Sequence, residues 1–200
     1  MPPDRHVTIQ PLSYRPDIDG LRAVAVLLVV GRHVGAPWMP GGFTGVDVFF
    51  VISGYLITGL LVREQMDRGR IDLAAFYARR VRRLLPALGV VMAVTLLLGF
   101  AVLLPDEQTA LAHSALASLA FVANFYFWTN GQGYFADPGA LLPLQHLWTL
   151  AVEEQFYLLW PLALMLLVRL AARTRIDMVR AIAVALAGAG LVSLALSVVL

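Results

Sequence analysis

The sequence contains 200 residues, of which 60% are hydrophobic and only 14% are charged. A soluble domain usually has about 45–50% apolar and about 25% charged residues, so this composition indicates a membrane protein and excludes a disordered chain. Cysteine is absent, which excludes disulfides and a cysteine nucleophile. The net charge of +2, from 15 basic residues that are all arginine and 13 acidic ones, is too small to indicate nucleic acid as a partner.

Five or six segments are long and apolar enough to cross a bilayer core of about 30 Å, which requires roughly 17–25 residues. We therefore predict an all-α fold, a polytopic transmembrane helical bundle that forms one domain. The predicted spans are 18–38, 46–62, 84–104, 110–128, 147–168 and 181–200. The fourth is the weakest candidate. Because the sixth runs to the last residue, we expect these residues to be the first part of a longer chain.

Arginine residues predict the orientation, since cytoplasmic loops are enriched in them. The segment between the second and third spans contains Arg63, Arg68, Arg70, Arg79, Arg80, Arg82 and Arg83. This predicts a cytoplasmic N-terminus. A second cluster follows the fifth span and contains Arg169, Arg173, Arg175 and Arg180. If 110–128 crosses the membrane fully, the second cluster lies outside, whereas a re-entrant 110–128 places both clusters inside.

Among the ionisable residues of the first span, which also contains Arg32, are Arg22 and His33. They are eleven residues apart, which is about three helical turns, so both lie on one helix face. Imidazole titrates near neutrality, so His33 is a candidate general base. Packing of both residues against neighbouring helices as hydrogen-bonded polar groups explains the spacing equally well.

Glu153 and Glu154 lie within the fifth span, after His146. His146 and Glu153 are seven residues apart and would share a helix face. A buried carboxylate near a histidine can orient the imidazole or accept a proton, which favours a functional role for Glu153. The alternative is a glutamate that reaches back to the membrane interface.

A glycine-rich turn leads into the second span, which contains Asp47 and Ser53. Asp47 suits a helix start, where its charge complements the dipole, and Ser53 with Gly54 suits close helix packing. The run from Arg79 to Arg83 is either a topology anchor at anionic lipid or a phosphate-binding group. The sequence has no phosphate-binding loop, dinucleotide fingerprint or pair of metal ligands at helical spacing, so no metal site is predicted.

Four stretches of the chain, within residues 14–168, together resemble the acyltransferase-3 family of membrane-bound O-acyltransferases. The first stretch is Arg22 followed, after ten residues, by His33. The second is GVDVFFVISGYLI, which begins at Gly45, and the third is FYARRVRRLLP, which begins at Phe76. The fourth comprises NFYFW from Asn124, Gly133-Tyr-Phe, and HLWTLAVEEQFYLLWP from His146. Thr149, where the family usually has serine, and Gln145 are slight departures from the pattern.

This resemblance implies an enzyme of the bacterial cytoplasmic membrane that moves an acyl group, often acetyl, from cytoplasmic acyl-CoA to an extracytoplasmic glycan. O-antigen, exopolysaccharide and peptidoglycan are the acceptors expected for such an enzyme. The resemblance implies a bundle of about ten helices, of which this chain would form the first half. Membrane lipid is an expected partner, and no tightly bound cofactor is expected.

The resemblance also assigns roles to residues. It implies that His33 and Glu153 are catalytic and that Arg79, Arg80 and Arg83 lie on the donor side and bind acyl-CoA. The supporting residues would be Arg22, Asp47, Ser53, His146 and Trp148. An acidic partner for His33 would be Glu153 or Asp47. The competing interpretations are a transporter or flippase that uses Arg22, His33 and Glu153 as a polar pathway, and a non-catalytic membrane scaffold.

Overall fold

A computed structural model describes residues 15–131 and 142–199 of the chain. This described part contains seven α-helices and no strand, so the all-α prediction is confirmed. The helices are α1 Pro16–His33, α2 Thr44–Arg68, α3 Leu73–Val102, α4 Pro105–Leu119, α5 Ala123–Thr129, α6 Leu147–Thr174 and α7 Met178–Val199. Three residues named or included above lie outside the described residues: position 14, where the resemblance begins, Gly133 of the fourth stretch, and Leu200 of the sixth predicted span.

Four of the described helices are long and apolar enough to cross a membrane: α2, α3, α6 and α7. The predicted number of five or six spans is therefore approximate. The predicted first span, 18–38, is longer than the helix found there. Helix α1 ends at His33, and Gly35 follows with a φ of +70°, a left-handed backbone conformation that turns the chain.

The chain divides into two compact units, residues 1–70 and 71–200. In the first unit α1 and α2 run antiparallel, and their close approach depends on two glycines. A Cβ atom at Gly42 would overlap the carbonyl oxygen of Leu28, and one at Gly45 would overlap that of Ala25. The glycine-rich turn therefore serves to bring the start of α2 against the second half of α1.

The start of α1 is held by Arg15. Its Nε and Nη2 donate to the two carboxylate oxygens of Asp17 at 2.9 and 2.7 Å, and its Nη1 donates to the Tyr55 hydroxyl at 3.4 Å. The guanidinium lowers the pKa of the Asp17 carboxyl to about 2. This contact ties the start of α1 to the middle of α2.

In the second unit, α3 begins earlier than the predicted span 84–104. Asp72 caps the helix by accepting a hydrogen bond from the Ala75 N–H at 2.9 Å, so the helix starts at Leu73. The arginine run from Arg79 to Arg83 is consequently helical and not a loop. Helix α3 has 30 residues, a length of about 45 Å, which exceeds the bilayer core of about 30 Å. The predicted span 84–104 therefore corresponds to the apolar later part of a longer helix.

The segment 110–128 forms two helices instead of one. The chain breaks after α4, where Phe121 has a φ of +54°, and the Tyr126 hydroxyl on α5 donates back to the Ala110 carbonyl on α4 at 3.5 Å. Helices α4 and α5 have 15 and 7 residues, or about 22 and 10 Å, so neither is long enough to cross the core. The segment is therefore a helical hairpin, in which α5 folds back along α4.

Helix α6 runs antiparallel to α3. The Tyr77 hydroxyl near the start of α3 donates to the Leu158 carbonyl at 2.9 Å, whereas Leu88, further along α3, belongs to the same hydrophobic cluster as Leu147 at the start of α6. The start of α3, with its arginine run, therefore lies beside the middle of α6.

Candidate functional site

His33 is the last residue of α1, and its side chain is exposed. Its Nδ1 lies 2.8 Å from the Val29 carbonyl oxygen. A carbonyl can only accept, so Nδ1 carries the hydrogen and Nε2 of the neutral ring keeps its lone pair. The helix end therefore presents the nitrogen that a general base requires.

Arg22 is half-buried on the same helix, and its Nη1 lies 3.6 Å from the Asp19 carboxylate. Among the described residues of this unit, Arg22 and His33 form no hydrogen bond with each other. Their shared face still leaves them about 16 Å apart along the axis. Asp19, three residues before Arg22, is a partner that the sequence reasoning missed, although the spacing alone could have suggested it.

Asp47 and Ser53 lie on α2. Asp47 is exposed in the first turn, where its charge complements the helix dipole, but the N-cap residue is Phe43. In the part of this unit that the structure describes, His33 and Asp47 form no ion pair. Ser53 is half-buried, next to the buried Ile52.

In the second unit, the arginine run of α3 is not uniform. Arg79 and Arg83 are exposed, whereas Arg80 is half-buried against aromatic rings of α3 and α6. The guanidinium carbon of Arg80 lies 3.6 Å from the ring centroid of Tyr157 and 5.8 Å from that of Phe76. Cation–π contacts of this kind restrain a guanidinium strongly when the ring is buried.

Glu153 joins the same group of side chains. It lies four residues before Tyr157 on α6 and accepts a hydrogen bond from the Tyr157 hydroxyl. The structure thus links Arg80 and Glu153, two predicted site residues, through Tyr157, to which the sequence reasoning assigned no role.

His146 and Trp148 lie at the beginning of α6. His146 is the N-cap residue, and its side chain is exposed. Trp148 is half-buried and packs against a cluster formed by Ala123, Phe127 and Ala151. This position supports a packing role for Trp148 between α5 and α6.

Two polar residues of the quoted stretches hold the hairpin against α6. Gln155 donates to the carbonyl oxygen of Phe121 at 2.8 Å and to the side-chain oxygen of Asn124 at 2.9 Å. The first bond satisfies the carbonyl of the residue whose backbone takes the left-handed conformation. Nothing in the sequence predicts that Asn124 and Gln155 contact each other, although both belong to the stretches that resemble the family.

Within the described residues, no group of three or more histidine and acidic side chains is placed to hold a metal ion. The guanidinium groups of the arginine run, among them Arg79, Arg80 and Arg83, have in-plane N–H donors that match phosphate oxygens.

Residues 15–198 match the family described as an acyltransferase domain, Acyl_transf_3. The O-acetyltransferase OatA of Staphylococcus aureus strain NCTC 8325 / PS 47 is 45% identical over 152 residues, which are 76% of this chain and 25% of that protein. A protein of strain MSSA476, provisionally named an O-acetyltransferase, is 44% identical over 158 residues, which are 78% of this chain and 26% of that protein. No solved structure matches.

The chain thus spans about a quarter of the length of the curated relatives that it matches. The match covers both compact units and includes the positions of the arginine–histidine spacing, the arginine run and the glutamate of α6. The chain belongs to the acyltransferase-3 family.

Proposed function

We propose that the protein transfers an acetyl group from cytoplasmic acetyl-CoA to a hydroxyl of an extracytoplasmic glycan, such as O-antigen, exopolysaccharide or peptidoglycan. The family and the names of the relatives support O-acetyl transfer. The observation that carries the proposal is the histidine at the end of α1, whose Nε2 keeps its lone pair while Nδ1–H donates to Val29.

His33 is the proposed general base. Its Nε2 takes the proton of the acceptor hydroxyl while the hydroxyl oxygen attacks the thioester carbonyl of the donor. The tetrahedral intermediate then expels the CoA sulfur, which receives that proton from the imidazolium. The products are an ester and free CoA, and the histidine returns to its neutral form. A covalent acyl-enzyme is the alternative route.

Arg79, Arg80 and Arg83 are the proposed donor-binding residues. CoA carries phosphates, and a guanidinium offers several N–H donors in one plane, an arrangement suited to phosphate oxygens. The arginine run lies in the first part of α3. The positive-inside rule assigns this start of α3 to the cytoplasmic side, where the donor is found.

The same rule supports an N-terminus inside the bacterial cytoplasmic membrane. For both arginine clusters to lie inside, the hairpin of α4 and α5 must return to the side of the membrane from which it enters. The short lengths of α4 and α5 and the contact between them support such a return. Glu153 remains a candidate catalytic residue, with one carboxylate oxygen engaged by Tyr157.

The test uses membrane vesicles that contain the protein, supplied with radiolabelled acetyl-CoA. We expect wild type and His113→Ala to transfer label to glycan, and His33→Ala to transfer none while reaching the membrane in normal amounts. His113 is the matched control because it is also an exposed helical histidine. Full transfer by His33→Ala would remove His33 as the base, and no transfer by wild type would contradict acetyl-CoA as donor.

A further inference from the structure

Tyr157 stands out because it is almost completely buried between two predicted site residues. Its exposed fraction is 3%, although it carries a polar hydroxyl. The hydroxyl donates to Glu153 on its own helix, while its ring faces Arg80 on α3. A buried tyrosine normally needs such a hydrogen-bond partner, and here the partner fixes the direction of the ring.

The distance between Arg80 and Tyr157 determines which part of the guanidinium touches the ring. A guanidinium that pointed an N–H at the ring would keep its central carbon further away than the observed 3.6 Å, so the two planes must lie nearly parallel. Stacking uses the flat face of the guanidinium and leaves its in-plane N–H groups directed elsewhere. Within the described residues, Arg80 forms no hydrogen bond or ion pair.

The neighbouring contacts keep the ring and the guanidinium together. The Tyr77 hydroxyl, three residues before Arg80, donates to the Leu158 carbonyl, one residue after Tyr157, at 2.9 Å. Phe76, which is 1% exposed, has its ring centroid 5.8 Å from the guanidinium carbon of Arg80. A long arginine side chain loses conformational entropy when a ligand fixes its rotamer. Because these contacts already restrain Arg80, less entropy is lost on binding.

We propose that Tyr157 is a positioning residue for the donor: it holds Arg80 by stacking, so that the N–H groups of Arg80 are directed to a phosphate of CoA, and Glu153 holds the tyrosine ring. This inference rests on the proposed use of acetyl-CoA. It assigns Tyr157 to binding of the donor and not to the chemical step, so its effect should fall on KM for acetyl-CoA and not on kcat.

The test measures initial rates of transfer in membranes across a range of acetyl-CoA concentrations. We expect Tyr157→Leu to raise KM for acetyl-CoA about tenfold with kcat within about twofold, since it removes a desolvated cation–π contact. Tyr157→Phe keeps the ring and should recover most of that loss.

The double variant Arg80→Ala/Tyr157→Leu separates positioning from general damage. If Tyr157 acts through Arg80, the double variant has the same KM as Arg80→Ala alone, because residues in one contact are not additive. Phe127→Leu is the matched control, a buried aromatic of the same unit with 3% exposure that does not contact an arginine. It should leave KM for acetyl-CoA unchanged.

Two results would overturn the inference while the proposed function stands: additive effects of Arg80→Ala and Tyr157→Leu in an active enzyme, or a loss in Tyr157→Leu confined to kcat. A wild-type protein that transfers no label from acetyl-CoA, yet is folded by thermal unfolding in detergent, would overturn the proposed function and this inference with it.

Discussion

The histidine end of α1 and the aromatic group around Arg80 hold their ionisable side chains in opposite ways. His33 is exposed, and within the described residues its single hydrogen bond goes to the backbone of its own helix. Arg80 is half-buried and stacks on a buried ring that is itself hydrogen-bonded. A proton-transferring nitrogen must stay accessible, whereas a binding group gains affinity when it is already restrained before the ligand arrives. The difference is what a base and a ligand-binding arginine would require.

The largest expected effect separates chemistry from stability at His33. In His33→Asn, the side-chain amide can still donate to the Val29 carbonyl, but no basic nitrogen remains. We expect transfer to fall about 10²–10⁴-fold, the usual contribution of a general base, with thermal unfolding in detergent unchanged. Equal losses of activity and of unfolding temperature would mean that the histidine is a structural residue.

The second effect concerns the packing that supports the end of α1. Gly45→Ala places a Cβ atom against the Ala25 carbonyl, and we expect the free energy of unfolding to fall by about 1–3 kcal/mol. Gly59→Ala on the same helix has open space at that position, and it should be neutral or stabilising by up to about 1 kcal/mol because alanine favours helix. Similar destabilisation by both variants would contradict close packing at Gly45.

A third effect, of similar or smaller size, concerns the hairpin against α6. Gln155→Ala leaves the Phe121 carbonyl without this donor, which should cost about 1–3 kcal/mol of unfolding free energy. Asn124 is hydrogen-bonded to the same Gln155 side chain. Asn124→Ala should therefore lower the free energy of unfolding less when Gln155→Ala is already present than it does in the wild-type protein. Fully additive costs would show that the two side chains do not interact.

The smallest effect is a pH dependence at the start of α1. The pKa of Asp17 is lowered from 3.8 to about 2, so its pairing with Arg15 stabilises the fold above the unfolded pKa and is lost as pH falls from about 4 through about 2. Both side chains are largely exposed, so the change in unfolding temperature should be small. Asp17→Asn should remove this part of the acid dependence, and an unchanged profile would contradict the pairing.

The sequence by itself determined the class of the protein and the approximate positions of its helices. Hydropathy is a property of each segment alone, so α2, α3, α6 and α7 could be located from the apolar runs, and the spacing of Arg22 and His33 placed both on α1. The four quoted stretches were sufficient for the family, which the match over residues 15–198 confirms.

Only the tertiary structure determined which side chains contact one another and where the segment 110–128 breaks into two helices. Nothing local distinguishes Arg80 from Arg79 or Arg83, because the contact with Tyr157 depends on how α3 and α6 lie against each other. At the break that divides 110–128 into two helices, the Phe121 carbonyl likewise accepts a hydrogen bond from Gln155, a residue of α6. Contacts between residues far apart in sequence set these features, and a pattern of residue types along one helix does not contain them.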